Sequence, residues 1–293
     1  MKWLWALPLA LAATPAMAHA GNAGESIWTF DASITLPLAL VALAFAIGTA
    51  RLWRRAGFGH GVKTWQAICF AAGCLLLVVA LVSPLHWLGE QLFSAHMLEH
   101  EVLMALAPPL LVLARPGIAM LWSLPLSARR GLGAVSGGLS GLWRILTEPW
   151  VATALHALAL WAWHAPALYD AALENEGLHW LEHFCFLGTA LPFWWALFAG
   201  RAYRQGFGAA IFYLFITASH SAFLGILIAL AKQPLYPVQT EAAARWGLAP
   251  MADQQLAGLI MWVPGGMVYA VAALALAGLW IVRSGRAVAN PVR

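Results

Sequence analysis

Seven long apolar segments dominate the pattern of hydrophobic and polar positions along the chain. Their approximate spans are 33–51, 64–82, 91–114, 148–164, 178–199, 207–231 and 255–281. Each is close to the roughly 20 residues that a helix needs to cross the hydrocarbon core of a bilayer. Only a helix satisfies its backbone hydrogen bonds within one such segment, because lipid offers no partners. The pattern therefore predicts an all-α integral membrane bundle of seven transmembrane helices.

Two features interrupt this pattern. Pro108 and Pro109 fall inside the third segment, where they are expected to kink or end the helix near Ala107. The connection 115–147 is rich in glycine and proline, and its apolar piece 117–124 is too short to cross a bilayer. We expect this piece to lie on the membrane or dip into it, and it does not count as a crossing.

The first 18 residues have the features of a secretory signal peptide. Lys2 gives a positive start, an apolar stretch too short to span follows, and Ala16-Met17-Ala18 forms a cleavage site with small residues at its ends. The mature transmembrane domain would then be residues 19–293, beginning outside the cytoplasm. An uncleaved short anchor is the alternative.

Basic residues fall on one side of the predicted bundle. Of the sixteen Lys and Arg residues, Lys2 lies in the predicted signal, thirteen lie on one side, and only Lys232 and Arg245 lie on the other. Loops rich in Lys and Arg stay in the cytoplasm. The distribution therefore predicts that the amino terminus is outside after signal removal.

Composition excludes several classes of protein. The chain is 62% hydrophobic and only 10% charged, whereas soluble proteins carry about 25% charged residues. The sequence pI of about 9.2 does not indicate nucleic acid, because the basic residues lie between apolar segments and form no exposed patch. The three cysteines form no CxxC pair and lie in apolar segments, which argues against a disulfide framework or a zinc ribbon.

The pattern His-x-Leu-Glu-His occurs twice, at residues 96–100 and 179–183. Residues four apart lie on one face of a helix, so each copy presents two imidazoles side by side. Ionisable groups in membrane segments usually face the bundle interior and mark a functional site. The alternative is a hydrogen-bonded cluster that only fastens helices together. Two matching pairs favour metal binding by His96, His100, His179 and His183.

Other polar residues are predicted on the same outer face. His86 precedes the third segment, and His164 ends the fourth, so six of the ten histidines gather there. A carboxylate that accepts the second ring N–H of a ligating histidine fixes its orientation. We expect that role for Glu99, Glu182 and Asp253, and we expect Met97 and His86 to be auxiliary residues of the same site.

The donor types indicate which metal such a site would hold. Imidazole suits zinc and copper, and a thioether such as that of Met97 favours Cu(I). Copper is therefore the expected metal and zinc the alternative, with His164 as a further ligand. Because only neutral imidazoles ligate, affinity should fall below roughly pH 6.

Several ordered stretches resemble the CtaG family of cytochrome c oxidase assembly factors, over about residues 30–282. They include Ser83-Pro84-Leu85, Ser94 to Pro109 with the first motif copy, Trp163-His164-Ala165-Pro166, the second copy, Pro234-Leu235-Tyr236-Pro237 and Asp253-Gln254-Gln255. The resemblance implies a multi-pass protein of the bacterial plasma membrane that helps copper reach a haem–copper oxidase. The implied partners are oxidase subunits, a periplasmic copper chaperone and membrane lipid.

Three other functions fit the motif. His-x-x-Glu-His resembles inverted zinc metallopeptidases, in which the glutamate acts as base, so a zinc-dependent membrane hydrolase is one alternative. Facing histidines on separate helices also ligate haem in membrane electron-transfer proteins. The cluster could also form only a docking surface for the oxidase. Because one active site needs one copy of the motif, we predict no catalytic residues.

Overall fold

The computed structural model describes residues 27–200, 202 and 206–289, and throughout these residues the regular secondary structure is helical. This confirms the all-α prediction. The predicted signal peptide, residues 1–18, lies outside the described residues. The helices are α1 Ala32–Ala56, α2 Thr64–Leu81, α3 Pro84–Gly89, α4 Phe93–Ala114, α5 Gly117–Ser123, α6 Leu126–Leu146, α7 Pro149–Trp163, α8 Pro166–Glu174, α9 Glu176–Phe198, α10 Phe207–Ala229, α11 Pro237–Arg245 and α12 from Pro250 to Ala289.

Within the described residues, five helices are long and apolar enough to cross a membrane, namely α1, α2, α4, α10 and α12. Of the two other predicted crossings, α7 has 15 residues, or about 22 Å of helix. Helix α9 has 23 residues, but its first half contains two histidines and Glu182. Several apolar helices fit a membrane protein, whereas the count of seven crossings and the orientation of the amino terminus stay predictions.

Helix α4 does not end at its proline pair. It passes through a π-helical segment, Val102–Leu106, and continues from Ala107 as α-helix. Proline has no N–H, so Pro108 leaves the carbonyl of Met104 without its usual donor. The indole Nε1 of Trp194 on α9 donates to that carbonyl at 2.9 Å. The backbone irregularity is therefore stabilised by the helix that carries the second motif copy.

The connection after α4 is more ordered than its glycine content predicted. Its apolar piece forms α5, which packs against α1 where Gly48 lies opposite Ala119. The guanidinium of Arg51 donates to the carbonyls of Trp122 and Ser123 at 3.0 and 2.6 Å. The remainder forms helix α6, which the sequence did not predict.

The core lies between α4, α9, α10 and α12. Phe93, Met97 and Phe186 are buried in one half of it, and Trp194 and Tyr269 in the other. Helices α10 and α12 approach closely, since a Cβ built on Gly258 would lie 2.5 Å from the carbonyl oxygen of Gly225. On the outside, α1 exposes Leu36, Leu40, Leu43 and Ile47, which is the apolar stripe that a helix facing lipid needs.

Candidate metal centre

Helices α4 and α9 bring the two His-x-Leu-Glu-His copies together. The rings of His96 and His179 stack with centroids 5.2 Å apart, and those of His100 and His183 meet edge to face at 5.7 Å. All four side chains are buried. The four-residue spacing places both imidazoles of each copy on the helix face that points at the other copy. The two copies therefore converge in the bundle interior, as predicted.

Four side chains form what we call the inner group: His96, His100, Glu182 and His183. One donor atom from each lies within 4.8 Å of the others. The Glu182 oxygens lie 3.7 Å from His96 Nε2 and 3.6 Å from His100 Nε2. These gaps are too long for hydrogen bonds. They are close to the separation of about 3.4 Å between two ligands of a tetrahedral ion with bonds of about 2.1 Å.

Three imidazoles form a second set, the outer group: His86, His179 and His183. Their donor atoms also lie within 4.8 Å of one another. The His86 and His179 rings stack at 5.4 Å, and His183 meets His86 edge to face at 5.8 Å. His183 belongs to both groups. The structure therefore gives His86, predicted as an auxiliary residue, the position of a possible direct ligand.

The two glutamates of the motif differ in their partners. His86 Nδ1 and Glu99 Oε1 lie 2.7 Å apart, so Glu99 supports an imidazole as predicted. Glu182 makes no such hydrogen bond in the described residues. It faces His96 and His100 of the other copy, as a direct ligand would. Burial lowers the pKa of His86, but the charge and hydrogen bond of Glu99, with Glu90 and Asp31, outweigh this and raise it.

Nine buried nitrogen and oxygen atoms in this cluster have no hydrogen-bond partner among the described residues. They belong to His96, Glu99, His100, His179, Glu182 and His183. Leaving one buried polar atom unpaired costs about 1–3 kcal/mol. A cation would satisfy several of these atoms at once, because lone pairs of imidazole and carboxylate are metal ligands. The residues present therefore fit a bound metal ion.

His164 and Met97 lie beside the inner group and outside it. His164 Nδ1 is 2.7 Å from the carbonyl of Leu160, which can only accept, so this nitrogen carries the hydrogen. In the neutral ring Nε2 is then a bare acceptor, and it faces Met97 Sδ at 3.3 Å. The His164 and His100 rings are 5.5 Å apart. A soft donor pair thus lies next to the inner group.

Asp253 has a different role from the one predicted. Its carboxylate accepts from the backbone N–H of Phe93 at 2.7 Å and from the N–H of Ser94 at 3.1 Å. It also accepts from the Ser94 hydroxyl. These groups form the amino end of α4, where the helix has donors without partners and a partial positive charge. Asp253 therefore caps α4 from α12, and it orients the first motif copy without bonding to an imidazole.

Comparison with known proteins supplies the family. The family model described as "Cytochrome c oxidase caa3 assembly factor" matches residues 43–283 of the chain. The chain belongs to this family. The resemblance found in the sequence is therefore confirmed.

Curated proteins similar to this chain occur in mycobacteria. The chain is 28% identical over 276 residues to an uncharacterised protein of Mycobacterium bovis and to one of Mycobacterium tuberculosis, covering 90% of the chain and 41% of each relative. It is 25% identical over 269 residues to an uncharacterised protein of Mycobacterium leprae, covering 87% of the chain and 40% of the relative. The chain thus spans about two fifths of these relatives. No solved structure matches it.

Two residues to which the sequence analysis gave no role, Tyr169 and Gln239, also help to position the site. Gln239 Nε2 donates to the carbonyl of Gly89 at 2.7 Å, and the Tyr169 hydroxyl donates to Gln239 Oε1 at 2.9 Å. The same carbonyl lies 3.3 Å from His96 Nδ1, whose hydrogen it accepts. This network turns His96 Nε2 toward the inner group. Its members are up to 150 positions apart, so no local pattern could have linked them.

Proposed function

We propose that this assembly factor binds one copper ion through His96, His100, Glu182 and His183 and supplies it to cytochrome c oxidase during assembly. The observation that supports this most is the set of nine buried nitrogen and oxygen atoms around these side chains that have no hydrogen-bond partner in the described residues. A cluster that only fastened helices would pair such atoms with one another. Here the carboxylate and imidazoles are held at the spacing of ligands around an ion.

The donor set favours copper over zinc. Three imidazoles and one carboxylate suit both metals, but the thioether of Met97 is a soft donor that favours Cu(I). Its sulfur lies 3.3 Å from His164 Nε2, beside His100. Copper is the cargo in this proposal, so it must bind and leave. Neutral imidazoles allow this because they exchange one at a time without a change in charge.

The proposed partners follow from the family and from the charge distribution. An assembly factor for the oxidase must contact an oxidase subunit, and copper would arrive from a periplasmic chaperone. The excess of Lys and Arg in the connections predicted on the other side supports the proposal that the histidine cluster faces the periplasm of a bacterial plasma membrane. On this basis copper enters from the compartment where the chaperone works.

The packing favours an ion over haem. A porphyrin needs an open slot between its two axial imidazoles. In this cluster the facing rings of His96 and His179 are already only 5.2 Å apart, and those of His100 and His183 5.7 Å. An ion fits between the donor atoms without moving these rings, whereas a porphyrin would separate the helices.

Metal analysis of the purified full-length protein tests the proposal. The protein in detergent is loaded with Cu(I), Cu(II) or Zn²⁺, freed of excess metal by gel filtration, and measured by elemental analysis. We expect one copper per chain in the native protein and none in the double variant His100→Gln, His183→Gln. His60→Gln is the matched control, because His60 is exposed and lies in the connection between α1 and α2, outside the histidine cluster.

Two further measurements complete this test. Copper retention should fall when the pH is lowered below about 6, because protons then compete for the imidazoles. In cells that lack the native protein, the double variant should leave the oxidase short of copper, whereas His60→Gln should restore it. Unchanged copper in the folded double variant contradicts the proposal, as does tighter binding of zinc than of copper.

A further inference from the structure

We propose that the outer group, His86, His179 and His183, is a loading station that receives the ion first and hands it to the inner group. His183 stays bound to the ion throughout the transfer. This inference rests on the proposed function, since it requires that the inner group binds metal. It adds a second binding position, a direction of movement and a role for His86.

The overlap of the two groups supports one ion that moves. His183 belongs to both sets, and both of its ring nitrogens are buried without a hydrogen-bond partner in the described residues. A neutral imidazole has one bare nitrogen, because the other carries the hydrogen. It can therefore ligate one ion at a time. The two groups are then alternative positions for the same ion.

The outer group lies nearer to the protein surface than the inner group does. His179 is 7% exposed and His86 2%, whereas His96 and Glu182 are at 0% and His100 at 1%. The ring of Trp180, which is partly exposed, stacks on His86 at 5.5 Å and on His179 at 6.1 Å. His86 and His179 come from the short helix α3 and the first turn of α9. An ion from outside therefore meets them before it meets the inner group.

Charge and donor number set the direction of transfer. The outer group offers three nitrogens beside Glu99, whose carboxylate is already bonded to His86. The inner group offers three nitrogens and the carboxylate of Glu182, whose oxygens have no hydrogen-bond partner in the described residues. A carboxylate compensates the charge of a buried cation, so the inner position is the more stable one. In the transfer the bonds to His86 and His179 break, bonds to His96, His100 and Glu182 form, and the bond to His183 is kept. The oxidation state of the ion does not change.

Glu99 fits this sequence of events as the residue that holds the outer group in place. It accepts from His86 at 2.7 Å, and its Oε1 lies 3.7 Å from His183 Nε2. A Cβ on Gly89 would lie 2.8 Å from Glu99 Oε2, so the glycine leaves room for this carboxylate. The short helix α3 thus presents His86 to the rings of α9 in a fixed orientation.

Stopped-flow uptake of Cu(I) from a coloured chelator by the full-length protein in detergent tests this inference. The native protein should show a fast phase that depends on copper concentration and a slower phase that does not. His86→Gln and His179→Gln should each slow the fast phase by about tenfold or more. Both should still reach one copper per chain, with an equilibrium affinity within about threefold of native.

The converse variant sharpens the test. The double variant His96→Gln, His100→Gln should keep the fast phase, lose the slow phase, and bind copper at least about 100-fold more weakly. His60→Gln should match the native protein in both phases. The two phases of uptake are measured on the native protein, so this part of the test needs no variant. His86 and His179 lie on different helices, so the failure of one variant to fold leaves the other to be measured.

The outcomes separate this inference from the proposed function. If the native protein takes up no copper, the proposed function fails. If it binds one copper in a single phase, or if His179→Gln weakens equilibrium binding as much as the inner double variant does, only the loading station is wrong. Two copper ions per native chain would also overturn it, because the groups would then be filled together.

Discussion

The two copies of His-x-Leu-Glu-His share a sequence pattern but differ in the surroundings of their glutamates. Glu99 in the first copy is bonded to His86 at 2.7 Å, so it serves a third histidine from outside either motif. Glu182 in the second copy has no hydrogen-bond partner in the described residues and faces His96 and His100 of the first. The motif itself does not decide whether its carboxylate ligates or orients. The neighbouring elements decide this.

The helices that carry the copies are also supported differently. Helix α9 begins at a local cap, where Asn175 accepts from the N–H of Leu178 at 3.0 Å. Helix α4 has no side chain of its own in that position and takes its cap from Asp253, 160 positions away. It also contains the π-helical segment, whose carbonyl partner is Trp194 of α9. The first copy therefore depends on tertiary contacts, whereas the second is stabilised locally.

We expect the largest effect from Glu182→Gln, measured as a loss of copper affinity. A ligating carboxylate is lost, and the remaining imidazoles hold an ion whose charge is not compensated. We expect copper affinity to fall by more than about 100-fold, beyond the range for residues that only orient ligands. Competition with a Cu(I) chelator of known affinity measures this. An effect below about tenfold would mean that Glu182 does not ligate.

Glu99→Gln should have a smaller effect on the same assay. The amide keeps the shape and a hydrogen bond to His86 but removes the negative charge that lies 3.7 Å from His183 Nε2, a ligand shared by both groups, so affinity should fall by about 10-fold to 100-fold. If Glu99→Gln proves as damaging as Glu182→Gln, the two glutamates have equivalent roles and the contrast drawn from the structure is wrong.

Asp253→Asn tests the tertiary cap of the first copy. The substitution replaces one carboxylate oxygen by an NH2 group, which cannot accept, so the buried N–H of either Phe93 or Ser94 loses its acceptor. Hydrogen bonds to a charged group are worth about 1.5–3 kcal/mol, so we expect the free energy of unfolding to fall by about 2 kcal/mol. Thermal unfolding in detergent measures the loss, with the exposed Glu174→Gln as control. Unchanged stability would show that α4 does not need this cap.

Trp194→Phe tests the support of the π-helical segment. The ring volume is largely kept, but the carbonyl of Met104 loses its donor, at an expected cost of about 1–2 kcal/mol. Trp161→Phe on α7 is the control for the Trp-to-Phe change itself, because Trp161 is exposed. Equal losses in the two variants would assign the effect to ring volume.

Asn175→Ala should have the smallest effect. It removes the local cap of α9, which typically costs about 1 kcal/mol and less at an exposed position. Thermal unfolding of Asn175→Ala and of Asp253→Asn under the same conditions compares the two caps. A loss greater than that of Asp253→Asn would reverse the order of local and tertiary support proposed for the two copies.

The features that sequence could predict are those with a fixed spacing. Apolar segment length gave the helical membrane protein, and the four-residue spacing of His96 with His100 and of His179 with His183 gave the convergence of imidazoles. Residues whose role depends on a distant partner could not be assigned. Asp253 was expected beside an imidazole and caps α4, while Glu182 was expected to support a ligand and faces two of them. No sequence pattern around Gln239 indicated that it would contact the site.

The long reach of the Asp253 cap has a consequence for synthesis of the protein. Its partner N–H groups at Phe93 and Ser94 leave the ribosome about 160 positions earlier. Until the last helix is inserted, the amino end of α4 lacks its acceptor, and the first pair of imidazoles is not held in its final orientation. Copper loading is therefore expected to be a late event in biogenesis, open only to chains whose translation has passed the start of α12.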